Sequence, residues 1–394
     1  MKHRQTLLAA SLSLLLGGCS LLQPLVGPDY RLPELRLPQS WLRAEPAAMA
    51  APAVDPVTWW RQLNDPQLDG LITAALQSSL DLRAAQARLR QARASRSQAV
   101  AGLAPSVGIS GGASRNKSAS EIAPNATVNT LYQAGFDASW ELDLFGGTRR
   151  GIEAANADLA ASQASLDNTR VSLVAEVARN YVELRGYQQR LAIARANLAS
   201  QAETLQITQW RNEAGLASSL DVEQARTTRE QTRASIPDLQ NGLVAAENRL
   251  AILLGRQPGA LQAELAATKP LPLAPDSVGA GIPADVLRQR PDLVAAERTL
   301  AAETARVGQK VAARFPSLTL SGTFGWQAYG LSALGGSGTL ARSLAGSLAA
   351  TLFDGGRLRA QVEIQNAVQE QALISYESAV LTALEDIENS LYAY

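Results

Sequence analysis

The chain has 394 residues, 36 basic and 36 acidic side chains, 46% hydrophobic residues, one cysteine and one histidine. That histidine, His3, lies in a segment expected to be removed on export, so the mature protein has no imidazole for a Ser-His-Asp or Cys-His triad or for zinc. Losing Lys2 and Arg4 leaves 34 basic against 36 acidic residues, which gives no footprint for nucleic acid.

The first residues read as an export signal. Lys2 and Arg4 form a short positive region, and Leu7 to Leu16 is apolar but too short to span a membrane. The segment ends Leu16-Gly17-Gly18-Cys19, which resembles the bacterial lipobox and implies cleavage before Cys19 and acylation of its sulfur. The alternative is an ordinary signal peptide with a chance cysteine. Cys19 is the only cysteine in the chain, and a lone thiol in an exported protein is explained by lipidation. Ser20, not aspartate, follows, which in proteins with such a box favours release to the outer membrane. After Gly18 no stretch is long and apolar enough for a transmembrane helix. Asp and Glu are scattered as on solvated helix faces, and Gly146-Gly147 and Gly355-Gly356 lack a phosphate-loop context.

The rest of the chain is a duplication. Leu82, Ala84, Ala85, Leu89, Ala94, Gln98, Pro105 and Ser106 recur 211 residues later as Leu293, Ala295, Ala296, Leu300, Ala305, Gln309, Pro316 and Ser317. Arg149, Glu153 and Asn156-Ala157 recur 210 residues later as Arg359, Glu363 and Asn366-Ala367. Proline-rich text from Pro24 to Pro56 and from Pro258 to Pro283 cannot be helical. The expected division is a signal peptide over 1–18, a lipid-anchored extended segment over 19–65, a first repeat over 66–255, a linker over 256–283 and a second, incomplete repeat over 284–394.

Each repeat reads as helix, two strands, very long helix. Helix 66–102 carries a heptad stripe of Leu68, Ala75, Leu82 and Leu89. Ile152, Leu159, Leu166 and Leu173 sit seven apart, as do Leu184, Leu191, Leu198 and Leu205, and the two runs are joined by a four-residue stutter. The helix so predicted, Thr148 to Asn212, is about 97 Å long, more than a globular domain needs. It stops at Gly215, which suits the left-handed position after a helix. Asp221 then lies near the start of a returning helix over 220–254, where a carboxylate is favoured; Pro237 interrupts and kinks it. That helix and helix 284–314, stacked, match the long one in length.

The strands alternate. Phe136, Ala138, Trp140, Leu142 and Leu144 share one face, and Asp137, Ser139, Glu141 and Asp143 the other. In the second repeat Leu318, Leu320, Phe324 and Trp326 alternate with Thr319, Ser321, Thr323 and Gly325, and Leu344, Leu348 and Leu352 alternate with small or polar residues. The strand around Val107 and Ile109 gives the weakest pattern. A half-buried soluble sheet would read similarly. Four strands of bilayer-crossing length cannot close a barrel alone, so the chain must oligomerise: two copies give eight strands and three give twelve.

These features resemble the TolC-type outer-membrane factors, in the lipoprotein branch serving resistance–nodulation–division efflux pumps. The matching text is Leu16-Gly17-Gly18-Cys19, Trp59-Trp60 through Asp65-Pro66 to Leu68, Trp140 to Gly146, Ala214-Gly215-Leu216 with Leu220-Asp221-Val222, Leu253-Leu254-Gly255, and Gly281 to Leu293. The resemblance implies an α+β membrane protein. Three copies would form a long antiparallel coiled-coil α-barrel and a transmembrane β-barrel to which each chain gives four strands. It implies an outer-membrane location, lipid anchoring at Cys19, a periplasmic adaptor and an inner-membrane pump as partners, small molecules such as drugs as cargo, and no cofactor, metal or catalysis. Gly215, Leu216 and Asp221 would form the adaptor-docking tip, Asp221 being either part of a charged gate or only a helix-start carboxylate. Phe136, Trp140, Leu142, Leu144, Leu318, Leu320 and Phe324 would face the membrane.

The sequence departs from that family at its end. The second long helix, from about Gly356, has 39 residues where the first repeat continues through a turn and a return helix. The expectation is a truncated product whose α-barrel lacks part of its wall and does not seal; a cooperative melt of a stable trimer would contradict it. Two other readings stand beside the channel. An adaptor lipoprotein would show lipoyl-like β segments flanking one hairpin, and a structural envelope lipoprotein would need no amphipathic strands. A carboxylate hydrolase lacks a paired-acid motif.

Overall fold

A computed structural model describes residues 25–34, 37–41, 58–117, 119, 127–273 and 283–393. The signal segment and Cys19 lie outside the described residues. A 3₁₀ turn, Trp59–Leu63, leads into α1 (Pro66–Ser78) and α2 (Leu80–Ala101), then β1 (Ser106–Asn116), β2 (Asn129–Leu142), α3 (Gly147–Glu213) and α4 (Ser219–Leu253). The short α5 (Gln262–Leu265) and α6 (Pro283–Gln289) precede α7 (Pro291–Ala312), β3 (Ser317–Ala328), β4 (Leu340–Ala349) and α8 (Arg357–Ala393). Among the described residues no helix is long and apolar enough to cross a membrane.

The 67 residues of α3 form one helix about 100 Å long. Its stripe is buried at Leu166, Leu173, Leu184, Leu191 and Leu205. Both elements of the expected hairpin therefore exist at nearly the expected bounds. Pro237 sits inside α4 without breaking it, contrary to the expected interruption. Other expectations fail too: the proline-rich stretch from Pro258 to Pro283, expected to be non-helical, holds the single helical turn of α5 between its prolines. Helix 66–102 is divided at Ser79, whose ψ of 132° is extended. Ser78 explains the break: its hydroxyl donates to the Leu254 carbonyl (2.6 Å), and the Ser78 carbonyl is so close to Gly255 that a Cβ there would stand 2.7 Å from it. Helix 284–314 is divided at Arg290, because Pro291 lacks an N–H and disfavours helical backbone in the residue before it. Pro291 then opens α7, a position that suits its fixed φ.

The chain forms two compact units. One contains the sheet, 90–162 and 293–382 together with the N-terminal segment. Its helical core is the buried face of α7: Leu293, Leu300, Ala301, Ala302, Ala305 and Val307. Gln365 and Gln369 of α8 donate to Glu303 (2.7 Å) and Thr304 (3.0 Å) of α7. The N-terminal segment is clamped by Arg150, whose side chain is 2% exposed. Its guanidinium donates to Asp29 (2.7 Å), Glu153 (2.7 Å) and the Val26 carbonyl (3.1 Å). Burial alone would lower its pKa, but bonds to the two carboxylates outweigh that and raise it. Gly27, at φ 89°, rides directly on Gly308; a Cβ there would stand 2.3 Å from the Gly308 Cα.

The second unit spans 37–89, 163–292 and 383–394. Leu68, Leu71, Ile72, Val177, Leu184, Leu250, Leu254 and Leu261 form its dry core. Asp65 caps α1 by accepting from the Gln67 (2.8 Å) and Leu68 (3.1 Å) amides, while its other oxygen accepts from Tyr181 (2.6 Å). Burial, joined by the bond to Asp65, pushes the Tyr181 hydroxyl up to about 12. Arg185 is fully buried and is held by neutral partners: the Gln188 and Gln67 side chains (both 2.6 Å) and the Ala267 carbonyl (2.7 Å).

Candidate functional site: a two-faced sheet and a helical turn

The four strands form one antiparallel sheet in the order β1-β2-β3-β4, joining the two repeats through β2 and β3. The register sets Phe136 against Phe324, Trp140 against Leu320 and Leu142 against Leu318. Side chains directly opposite one another in a sheet share a face, so six of the seven residues expected to face the membrane lie on one surface. Val107, Ile109, Leu344 and Leu348 join that face through Ala138, Phe136, Gly322 and Leu318. The surface is open: Val107 is 70% exposed, Ile109 80% and Leu344 85%. The opposite face carries Ser106, Ser110, Ser114, Gln133, Asp137, Ser139, Glu141, Thr319, Ser321, Thr323, Ser343 and Ser347. Asp137 accepts from Ser110 across the strands on that face.

Leu144 is the exception. The strand ends at Leu142, and Leu144 lies in the bend that leads into α3. Asp143, expected on the polar face, also leaves the sheet. It caps α3, accepting from the amides of Thr148 (3.1 Å) and Arg149 (3.0 Å). Leu352 likewise falls beyond β4. The period-2 pattern continues past each strand by chance, and helix capping overrides it. Trp140, at the helix-bound end of β2, donates its indole N–H to the Leu103 carbonyl (2.9 Å). At the other end, Tyr132 and Trp326 stand on the same apolar face.

The turn between α3 and α4 is tightly specified. Gly215 has φ 76°, and nothing lies within 4 Å of where its Cβ would stand, so backbone conformation, not space, calls for glycine. The Leu216 amide donates to the Arg211 carbonyl (2.7 Å) and the Gly215 amide to that of Asn212 (2.9 Å), a pattern that closes the end of α3. Ser218 and Asp221 cap α4 reciprocally: the Asp221 amide donates to the Ser218 hydroxyl (3.2 Å), and Asp221 accepts from the Ser218 amide (2.8 Å). Those bonds hold the Asp221 carboxyl below its usual range. Leu216 (70%), Leu220 (65%), Trp210 (60%) and Ile207 (53%) are exposed around the turn. Trp210 and Ile207 were not singled out by periodicity, since both fall off the leucine stripe.

Among the described residues no group of three or more His, Cys, Asp or Glu could hold a metal ion.

Residues 71–256 and 282–394 match the family model described as outer membrane efflux protein. The chain belongs to that family. Nodulation protein T of Rhizobium leguminosarum bv. trifolii is 34% identical over 382 residues, covering 97% of this chain and 80% of that protein. Outer membrane protein OprJ of Pseudomonas aeruginosa is 32% identical over 393 residues, covering 98% and 80%. The solved structure of the outer-membrane channel OprN matches with a TM-score of 0.86 at 38% identity, over 94% of this chain and 83% of that one. The protein is thus an efflux channel of the outer membrane with a large periplasmic helical part. Membership in a transport family favours this reading over the adaptor, the structural lipoprotein and the hydrolase.

Proposed function

We propose that three copies close their sheets into a twelve-stranded barrel that carries small molecules out across the outer membrane. A periplasmic adaptor engages the turn at Gly215 and Leu216, and an inner-membrane pump supplies the drive. Asp221 serves by fixing that turn through its cap. Residues 1–18 are removed on export and Cys19 carries the lipid. Residues 66–255 and 284–394 form the two repeats about a linker at 256–283. The observation that carries the reading is the register, which separates an apolar, exposed surface from a polar, hydroxyl-rich one. From Leu142 to Tyr132 the apolar face runs about 34 Å along the strand. A strand tilted by about 45° then crosses about 24 Å, close to the apolar band of known outer-membrane barrels, with aromatic residues at both edges.

Conductance in planar bilayers tests this. A S321C variant should form defined pores that a water-soluble thiol reagent blocks, and L320C pores should be indifferent. Block at L320C with none at S321C would overturn the assignment of faces; absence of any pore both from this chain and from a version extended by a second tip turn and return helix would overturn the channel.

A further inference from the structure

The apolar face of the four strands carries two charged residues, Arg115 near the end of β1 and Arg342 near the start of β4, and no carboxylate. Both lie within two residues of the ends that lead to the hairpins, away from the helices. With the helices in the periplasm, that end is the outer leaflet. Bare guanidinium groups on a lipid-facing surface require an anion or water.

The duplication shows what surrounds them. β1 and β3 correspond at an offset of 211, and comparison of the β1–β2 and β3–β4 registers places β2 and β4 at an offset of 210. The edges of the sheet are therefore copies of its two central strands. β4 corresponds to β2 and β1 to β3, so the observed β2–β3 joint is a template for β4 of one copy against β1 of the next. Under that shift Tyr132↔Ala328 becomes Arg342↔Lys117, Ala134↔Trp326 becomes Leu344↔Arg115, and Phe136↔Phe324 becomes Gly346↔Ala113. Parity is kept, so these residues stay on the apolar face. Arg342, Lys117 and Arg115 then cluster within one pair of rows at each seam between copies. Like charges set opposite one another repel unless something neutralises them.

We propose that each seam binds a phosphate group of the phosphorylated glycolipid of the outer leaflet, with Arg342 from one copy and Arg115 and Lys117 from the next as ligands. This rests on the trimeric barrel proposed above. Arg offers a bidentate fork to phosphate oxygens and Lys a point charge. The apolar rows below, from Leu344 to Leu348, accept the acyl chains.

The test uses the full chain, purified and delipidated, then incubated with lipid A bearing two phosphates or with the same lipid dephosphorylated. Native mass spectrometry reads the lipid retained per oligomer. The unaltered protein should retain the phosphorylated form at least tenfold better than R115Q/K117Q/R342Q, R342K should retain most of it, and the dephosphorylated lipid should not discriminate among them. Equal retention of the phosphorylated lipid by the unaltered protein and the triple variant overturns the site. A G346C/A113C variant separates that failure from failure of the barrel. If it cross-links between copies while retention ignores phosphate, only the lipid site is wrong. If it does not cross-link, the seam itself is wrong, and the site falls with it.

Discussion

Leu344 and Ser343 are neighbours in the middle of β4 that point to opposite faces, and they give the sharpest test of the sheet. Leu344 is 85% exposed in a single chain. Were that face bathed in water, Leu344→Arg would be nearly neutral, as surface substitutions are, within about 0.5 kcal/mol. Facing lipid between the midplane and the outer edge of the apolar band, an arginine costs about 1–3 kcal/mol, or about 5- to 160-fold in the folding equilibrium. Three copies in one barrel would multiply the free energy threefold. Ser343→Arg removes one hydrogen bond, between Ser343 and Thr323 (2.7 Å), worth about 0.5–1.5 kcal/mol, and leaves the new charge in the aqueous lumen. Urea titration of the protein refolded into phosphocholine vesicles, followed by tryptophan fluorescence, should show L344R far less stable than S343R. Equal stability of L344R and the unaltered chain, with S343R impaired, would refute the assignment of faces.

Other consequences are local. Gly215→Ala should cost about 1–2 kcal/mol, the price of a side chain in the left-handed region, and Gly215→Asn less; faster hydrogen exchange at the Leu216 amide, bonded to Arg211, would report it. Tyr181→Phe removes a donor to an ionised carboxylate, worth about 1.5–3 kcal/mol. Asp65 titrates below its ordinary value: burial would raise it, but the Tyr181 bond and the two backbone amides outweigh that. Its stabilisation is therefore complete above about 3.9, the unfolded value, and is lost as pH falls through the folded value; Y181F should begin to acid-unfold at higher pH, read by far-ultraviolet circular dichroism. Arg150→Met should free residues 25–34 to limited proteolysis. Its partners Asp29 and Glu153 are 81% and 42% exposed and rehydrate readily, so the loss should be about 1–3 kcal/mol and not that of a fully buried pair.

Periodicity carried the parts of this fold in which one face is buried or must repeat. The leucine heptads placed α3 to within a residue at each end, because a stripe of that length repeats along a single continuous helix. Alternation placed β2 and β3 because each presents two chemically different faces. Boundaries set by tertiary contact were not legible. The break at Ser79 depends on Leu254 and Gly255, about 176 residues away. Asp143 and Leu144 continue the strand pattern in sequence, yet the caps of α3 take them out of it. Arg115 and Arg342 carry no periodic signal as single arginines in alternating runs; only the register shows that both share the apolar face.

The duplication also bears on assembly. A sheet whose edges are unpaired invites another strand, and here each edge matches the interior partner of the other. The contact so formed is head-to-tail, and a head-to-tail contact closes into a ring or runs on as a filament according to its rotation. The β2–β3 joint fixes that rotation, since the same joint repeated between copies gives a ring of equivalent hairpins. Twelve strands need three copies, and eight would need two. Oxidised G346C/A113C protein in detergent therefore gives the count directly on a denaturing gel. A ladder that stops at three confirms the trimer. A ladder that stops at two would mean an eight-stranded barrel, whose interior is filled by its own side chains and leaves no duct for export. The efflux role thus demands the larger ring, and bands beyond three would show that the joint does not close.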